Sequence, residues 1–179
     1  MTDTLLIRDT QPGDLPAITA IYADHVLHGT GTFEIEPPTL AEMTARHADV
    51  LAKNLPWLVA QSGGQVMGYA YANWFKPRPA YRYSAEDSIY VRAGDQRHGA
   101  GRALLTELAA RCEHLGLRKL IAVIGDSGNA ASIGLHRRLG FTPVGTIAGC
   151  GWKGGRWLDI VLMERALGPG QTLPPAASR

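Results

Sequence analysis

The sequence predicts a single α/β domain, a mixed sheet with helices on both faces. Three observations carry that reading. Apolar patterns along the 179 residues follow the order β-α-α-β-β-β-α-β-α-β-β. Leu120 to Ile124 is a short continuous apolar run, which suits a strand buried on both faces. Gly63-Gly64 separates two strand-like runs and marks a hairpin. With 45% hydrophobic and 19% charged residues the chain has an ordinary globular composition. The domain is expected over residues 1–167, and the Pro/Gly-rich segment 168–179 is expected to be a disordered tail.

Leu5-Leu6-Ile7 opens the first strand, and Asp14 is placed to cap a helix whose apolar face is Leu15, Ile18, Ile21, Tyr22 and Val26. A loop from Gly29 to Pro38 follows. Thr39 and Glu42 then form a capping box for a second helix running to about Ala52. Trp57–Ala60 and Val66–Trp74 read as the hairpin strands, and Lys76-Pro77-Arg78-Pro79 breaks the pattern into a loop. A strand is expected from about Tyr81 to Val91. Leu104, Leu105, Leu108, Cys112 and Leu115 recur at helical spacing, and Asn129 to Leu139 reads as a short helix ended by Gly140-Phe141. Two strands, about Thr142–Ala148 and Trp157–Glu164, close the domain.

Several function classes are set aside by composition. The net charge is +2 with no Lys/Arg cluster, which argues against a nucleic-acid partner. No apolar run approaches the ~20 residues of a membrane span, and the N-terminus lacks a signal pattern, so a cytoplasmic location without a membrane partner is expected. Cys112 and Cys150 form no CxxC and are expected as buried free thiols. His25 and His28 lack a carboxylate or cysteine partner in sequence. They read as a solvated helix end, and no metal is expected.

The chemistry concentrates in Gln96-Arg97-His98-Gly99-Ala100-Gly101-Arg102, between a strand and an amphipathic helix. Glycines there let backbone approach a ligand, and the free N–H groups and dipole of a helix start favour an anion such as a pyrophosphate. A Walker-A loop does not fit, because no G-x-x-x-x-G-K-[ST] is present. A Rossmann fingerprint fits poorly: its third glycine is replaced by Leu104, although Asp126 follows about 25 residues on.

Gln96-x-x-Gly99-x-Gly101, followed downstream by Asn129-Ala130-Ala131-Ser132 and Leu135-His136-x-x-Leu139-Gly140-Phe141, resembles the acyl-CoA loop and next motif of the GNAT N-acetyltransferases. Glu34 with its Thr-Phe approach, Tyr81 to Val91, and Gly155-Arg156-Trp157-Leu158-Asp159 are similar to phosphinothricin and methionine-sulfoximine N-acetyltransferases within that family. The resemblance runs from Leu5 to about Arg165. It implies the GNAT fold with a mostly antiparallel sheet, acetyl-CoA as cofactor, and direct transfer to the α-amine of a small amino acid analogue such as phosphinothricin, methionine sulfoximine or methionine sulfone. Another small amine (a polyamine or aminoglycoside) and a non-catalytic acyl-CoA-sensing module stay open.

An amine attacks only as its free base, so a carboxylate in reach helps, and Glu86 in the strand before the loop is the candidate. The resemblance places the family's catalytic glutamate there too. It also implies pairing of the Ile89, Tyr90 and Val91 backbone with the cofactor arm, cofactor contact by Asn129 and Ser132, and His136 where many relatives carry a tyrosine acid. Gly99, Ala100 and Gly101 act through backbone amides. Gln96 belongs to the same loop, with Arg97, His98 and Arg102 beside the phosphates. For the acceptor's carboxylate the basic candidates are Arg78 and Arg82, with Lys76 and Lys153 behind them. Phe33, Trp74, Phe75 and Tyr83 are expected as the apolar wall, with Glu86 itself reaching the amine. Exposed-looking aromatics of the Trp152–Trp157 hairpin at a sheet edge, together with the resemblance, point to a homodimer.

Overall fold

The computed structural model describes residues 4–175. Its elements are β1 (Leu6–Asp9), α1 (Leu15–His28), α2 (Leu40–Ala52), β2 (Trp57–Ser62), β3 (Gln65–Trp74), β4 (Ser84–Val91), α3 (Ala100–His114), β5 (Lys119–Gly125), α4 (Ala130–Arg138), β6 (Thr142–Lys153) and β7 (Arg156–Ala166). One seven-stranded sheet holds them in the order β1-β2-β3-β4-β5-β7-β6. Among the described strands only the β4–β5 pair is parallel, which α3 makes possible as the crossover. The expected α/β class and mostly antiparallel sheet are thus observed.

Alternation along β4 assigns the helices to faces. Tyr90 meets Tyr22 of α1 edge-on at 4.9 Å, while Asp87 bonds His136 of α4. Even-numbered residues of β4 therefore face α1 and α2, and odd-numbered ones face α3 and α4. Leu104, Leu105, Leu108 and Cys112 of α3 are fully buried against the sheet. Each such leucine contributes about 1.5–3 kcal/mol by its burial.

Four local expectations are corrected. Asp14 does not cap α1 with its side chain. A 3-10 turn, Pro12–Asp14, leads into the helix, and the Asp14 carboxylate reaches back to the Gln11 N–H (2.8 Å) and to both nitrogens of the Arg8 fork (2.7 and 2.8 Å). Arg8 and that amide hold the carboxyl below its usual range. The strand expected from Tyr81 starts at Ser84, because Pro79 sets a second 3-10 turn, Pro79–Tyr81. Cys112 is buried but Cys150 is exposed. His25 is not a solvated helix end: its Nε2 lies 2.9 Å from the Val91 carbonyl, whereas His28 pairs with Asp24 as a surface residue.

Beyond Leu167 the chain turns back beside the α3–β5 connection, with the Leu167 N–H on the Arg118 carbonyl and the Arg118 guanidinium on the Pro174 carbonyl. Residues 176–179 of the expected tail lie outside the described residues. Among those described, no helix is long and apolar enough to cross a membrane.

Candidate active site

The register between β4 and β5 builds the site. The two strands pair from Ser84↔Lys119 to Asp87↔Ala122 and then part, although β4 continues to Val91 and β5 to Gly125. Ile89, Tyr90 and Val91 remain paired with β3 on one side only. The opening this leaves is a slot into which an extended, amide-bearing ligand can add as a strand.

At the mouth of the slot, the chain leaves β4 through a turn closed by an Arg92–Asp95 ion pair and reaches α3. Arg97 (φ 68°) and Gly99 (φ 91°) both adopt left-handed backbone, and Gly99 is the N-cap of α3. Such a turn points successive N–H groups outward into an anion nest, and the helix dipole adds to it. A Cβ on Gly99 would meet nothing within 4 Å, so the space before the nest is open. Ala100 is buried, and Gly101 faces Leu135, Val91 and Ile89, where a Cβ would already lie 3.4 Å from Leu135. Only the backbone of these two residues is free to meet a ligand. Gln96, Arg97, His98 and Arg102 have exposed side chains around the nest. Across the slot Asn129 caps α4, its Oδ1 accepting from the Ser132 N–H at 3.1 Å.

Glu86 sits on the α1/α2 face of β4, opposite Asn73 of β3. Its carboxyl is pushed above the usual range by burial, then by the neighbouring Asp87 charge, with Lys76 opposing. Tyr71, on the same face, bonds Ser88 and stacks on Trp57 with ring centres 4.1 Å apart. From there a polar chain runs to the α1–α2 loop. Glu34 takes both nitrogens of Arg46 (2.7 and 3.1 Å) and the Tyr22 hydroxyl (2.9 Å), and Tyr22 also pairs with Thr32 at 2.8 Å. Lys153 Nζ donates to the Thr32 carbonyl at 2.8 Å, and burial lowers the pKa of this ammonium.

The remaining expected residues divide into two groups. Lys76 acts on Glu86 and stands over the Phe75 ring, 5.0 Å from its centre. Phe33 is seated in a slot of two glycines: a Cβ on Gly151 would come within 2.5 Å of its ring, and one on Gly125 within 3.1 Å. Gly151→Ala is therefore expected to dislodge Phe33 and raise the acceptor KM about tenfold, read by steady-state kinetics beside an unchanged KM for acetyl-CoA. Arg82 lies over the Tyr83 ring, 4.6 Å from its centre, and one nitrogen of its fork donates to the Pro79 carbonyl within its own turn. Arg78 is exposed in that turn, and Trp74 is exposed beneath Lys53.

His136 has a fixed setting. It is 2% exposed, with Nδ1 donating to the Ser132 carbonyl (2.8 Å) and Nε2 against Asp87 Oδ2 (2.9 Å). Burial alone would lower its pKa, but the hydrogen bond and charge of Asp87, with the Ser132 carbonyl, outweigh this and raise it. Both ring nitrogens are occupied, so none faces the slot. Among the described residues no group of three or more His, Cys, Asp or Glu is placed to hold a metal ion.

Residues that pattern reading missed include Arg46, Lys53 and Tyr71. Arg46 lies on an amphipathic helix, where a charge reads as solvated, and Tyr71 in an aromatic-rich strand reads as core. Only the Glu34 motif pointed toward their neighbourhood.

A split sheet beside a left-handed turn at a helix start, with a half-buried carboxylate on the dividing strand, has the form of an acyl-CoA-dependent transferase. The sequence agrees: residues 18–141 match the acetyltransferase (GNAT) family, and the chain belongs to it. It is 52% identical to a phosphinothricin N-acetyltransferase of Alcaligenes faecalis, over 94% of this chain and 86% of that one. It is 42% identical to an L-methionine sulfoximine/L-methionine sulfone acetyltransferase of Pseudomonas aeruginosa, over 94% and 98%. Among solved structures, a GNAT superfamily phosphinothricin acetyltransferase from Sinorhizobium meliloti in complex with AcCoA superposes with a TM-score of 0.94 at 45% identity, covering 99% of this chain and 95% of that one. The chain is an acetyl-CoA-dependent N-acetyltransferase.

Proposed function

We propose that the acceptor is the α-amine of a small amino acid analogue of the phosphinothricin and methionine-sulfoximine type, acetylated by direct attack in a ternary complex. The observation that carries this is Glu86, half-buried with a raised pKa on the strand that borders the slot, on the face where Lys76, Lys153 and Arg46 supply positive charge. The relatives' activities support the same acceptor class. The β4 edge at Ile89–Val91, the amides of Gln96–Gly101, and Asn129 and Ser132 would hold acetyl-CoA, which supplies the activated acetyl thioester when bound. Glu86 takes the proton from the acceptor ammonium, directly or through one water. A backbone N–H near Tyr90 or Val91 steadies the developing oxyanion; its collapse would break the C–S bond, and the CoA thiolate would leave as the thiol with the second proton of the amine, passed directly or through solvent. Lys76, with Arg78 at the rim, attracts the acceptor carboxylate, while Phe33 and Phe75 enclose its side chain. An acetyl-CoA consumption assay across amino acid analogues, polyamines and aminoglycosides tests the acceptor. Turnover is expected with the first class, and turnover confined to the other two would overturn it.

A cytoplasmic homodimer belongs to the same proposal. β6 is a twelve-residue edge strand that exposes Val144, Ile147 and Trp152, and β7 adds Trp157 at 64% exposure. An apolar edge of this length invites pairing with a second copy. Sedimentation at micromolar concentration is expected to give twice the chain mass, and Ile147→Lys to give the monomer; a monomeric wild type would overturn it.

A further inference from the structure

Asp126 lies where three segments meet, and no step of acetyl transfer uses it. It holds a left-handed backbone at φ 69°, a conformation uncommon outside glycine that an aspartate adopts when its short side chain bonds locally. Its Oδ1 accepts from the Gly128 N–H at 2.9 Å, and its main chain bonds the Asp159 carbonyl and the Asn129 N–H (2.9 and 3.0 Å). Its Oδ2 accepts from Arg156 at 2.6 Å across the β6–β7 turn, and the Thr30 hydroxyl of the α1–α2 loop bonds the same carboxylate. The adjoining Ser127 hydroxyl bonds Asp159 at 2.6 Å, whose other oxygen accepts from the Gly149 N–H at 3.0 Å.

The packing beside it leaves no slack. A Cβ on Gly125 would lie 2.5 Å from the Thr30 carbonyl oxygen and 3.1 Å from Phe33, so the end of β5 and the loop are in backbone contact. An isolated surface ion pair contributes little. This one differs, because Arg156 is 57% exposed but its partner oxygen belongs to a side chain only 12% exposed, fixed by two further groups, the Gly128 N–H and the Thr30 hydroxyl. Arg156, Trp157 and Asp159 fall in the Gly155–Asp159 motif, which the chemistry of transfer left unexplained.

We propose that Asp126 is a positioning residue for acetyl transfer: with Arg156 as counter-ion, it ties the loop carrying Phe33 to the turn carrying Asn129, so that the acceptor and cofactor sides of the cleft move as one body. The naming of those two sides rests on the function proposed above; the coupling of the segments does not. Arg156 bonds Asp126, while its strand partner Lys153 separately donates to the Thr32 carbonyl, so exchange over residues 150–158 is read as well, and its constancy in Arg156→Ala assigns a loosened loop to transmission through Asp126.

Hydrogen–deuterium exchange of the full-length wild type, Arg156→Ala, Arg156→Lys and Asp126→Gly decides the matter. Asp126→Gly keeps the left-handed backbone that glycine prefers and removes only the carboxylate. Exchange over residues 29–38 is expected to quicken at least tenfold in Arg156→Ala and Asp126→Gly, with β2 unchanged and Arg156→Lys close to wild type. With an amine that turns over, the acceptor KM rises about tenfold in the first two variants while kcat stays within threefold. Unchanged exchange over 29–38 would overturn the proposal, as would uniform quickening across the chain, which marks a general loss of stability. Failure of every amino acid analogue as acceptor would sink the functional reading and leave the exchange result to judge this one.

Discussion

Glu86→Gln is expected to bind acetyl-CoA as the wild type does while turnover falls about 10²-fold or more, because the acceptor then has no group to take its proton. Isothermal titration with acetyl-CoA and steady-state kinetics read the two halves separately. The raised pKa of Glu86 fixes two further signs. The base works only when ionised, so the acid limb of kcat/KM should fall at a pH above the ordinary glutamate value of about 4.3. For stability the sign is unfavourable. A carboxyl whose folded pKa lies above its unfolded one favours folding when protonated, and that contribution is lost as pH rises through the shifted value. Glu86→Gln should therefore melt at the same temperature as wild type or higher at neutral pH. Unchanged turnover would remove Glu86 from the base role, and a lower melting temperature would contradict the burial argument.

Asp87→Ala is expected to be the most damaging substitution for stability on this strand, costing about 3–5 kcal/mol, as removal of one partner from a buried charge pair does. It strands the His136 Nε2 at a site 2% exposed. Asp87→Asn should cost less, since its amide oxygen still accepts a hydrogen bond. The pH dependence separates this from simple loss of packing. The folded pKa of His136 is raised, so its stabilisation is complete below about pH 6.5 and disappears as pH rises through the folded value. Urea unfolding at acid and alkaline pH should show that step in wild type and not in Asp87→Ala. An identical pH dependence in both would show that the pair is not the source.

The fold was legible because its signals are local. The Thr39–Glu42 capping box and the Asn129 cap occur as read, each with its side-chain bond to a helix amide. Leu104, Leu105, Leu108 and Cys112 of α3 line the core as their spacing required. Boundaries failed where a short-range competitor intervened: Pro79 delayed β4, and Arg8 drew the Asp14 carboxylate away from the helix it was expected to cap. In the site, the turn from Gln96 to Gly101 was readable because a glycine at a strand–helix junction adopts left-handed backbone without strain, as Gly99 does. Arg46, Tyr71 and the junction at Asp126 were not, since each gains its meaning from a partner on a distant segment. His136 was singled out by its place in the motif after Asn129; that it would meet Asp87 depended on which face of β4 α4 covers.

The early parting of β4 from β5 also bears on how the molecule holds together when no ligand is present. Four register pairs, confined to one end, are all that join β1–β4 to the β5–β7–β6 half within the sheet. At the other end the continuity of the backbone ladder is broken, and the gap is spanned by helix packing, the Asp87–His136 hydrogen bond and the contacts of the α1–α2 loop with Gly125, Gly151 and Lys153. Local opening should therefore be easiest along this seam, with each half a cooperative unit in its own right. A cofactor arm lying in the gap would act as a missing piece of sheet, and its binding would then stiffen the whole domain across this seam.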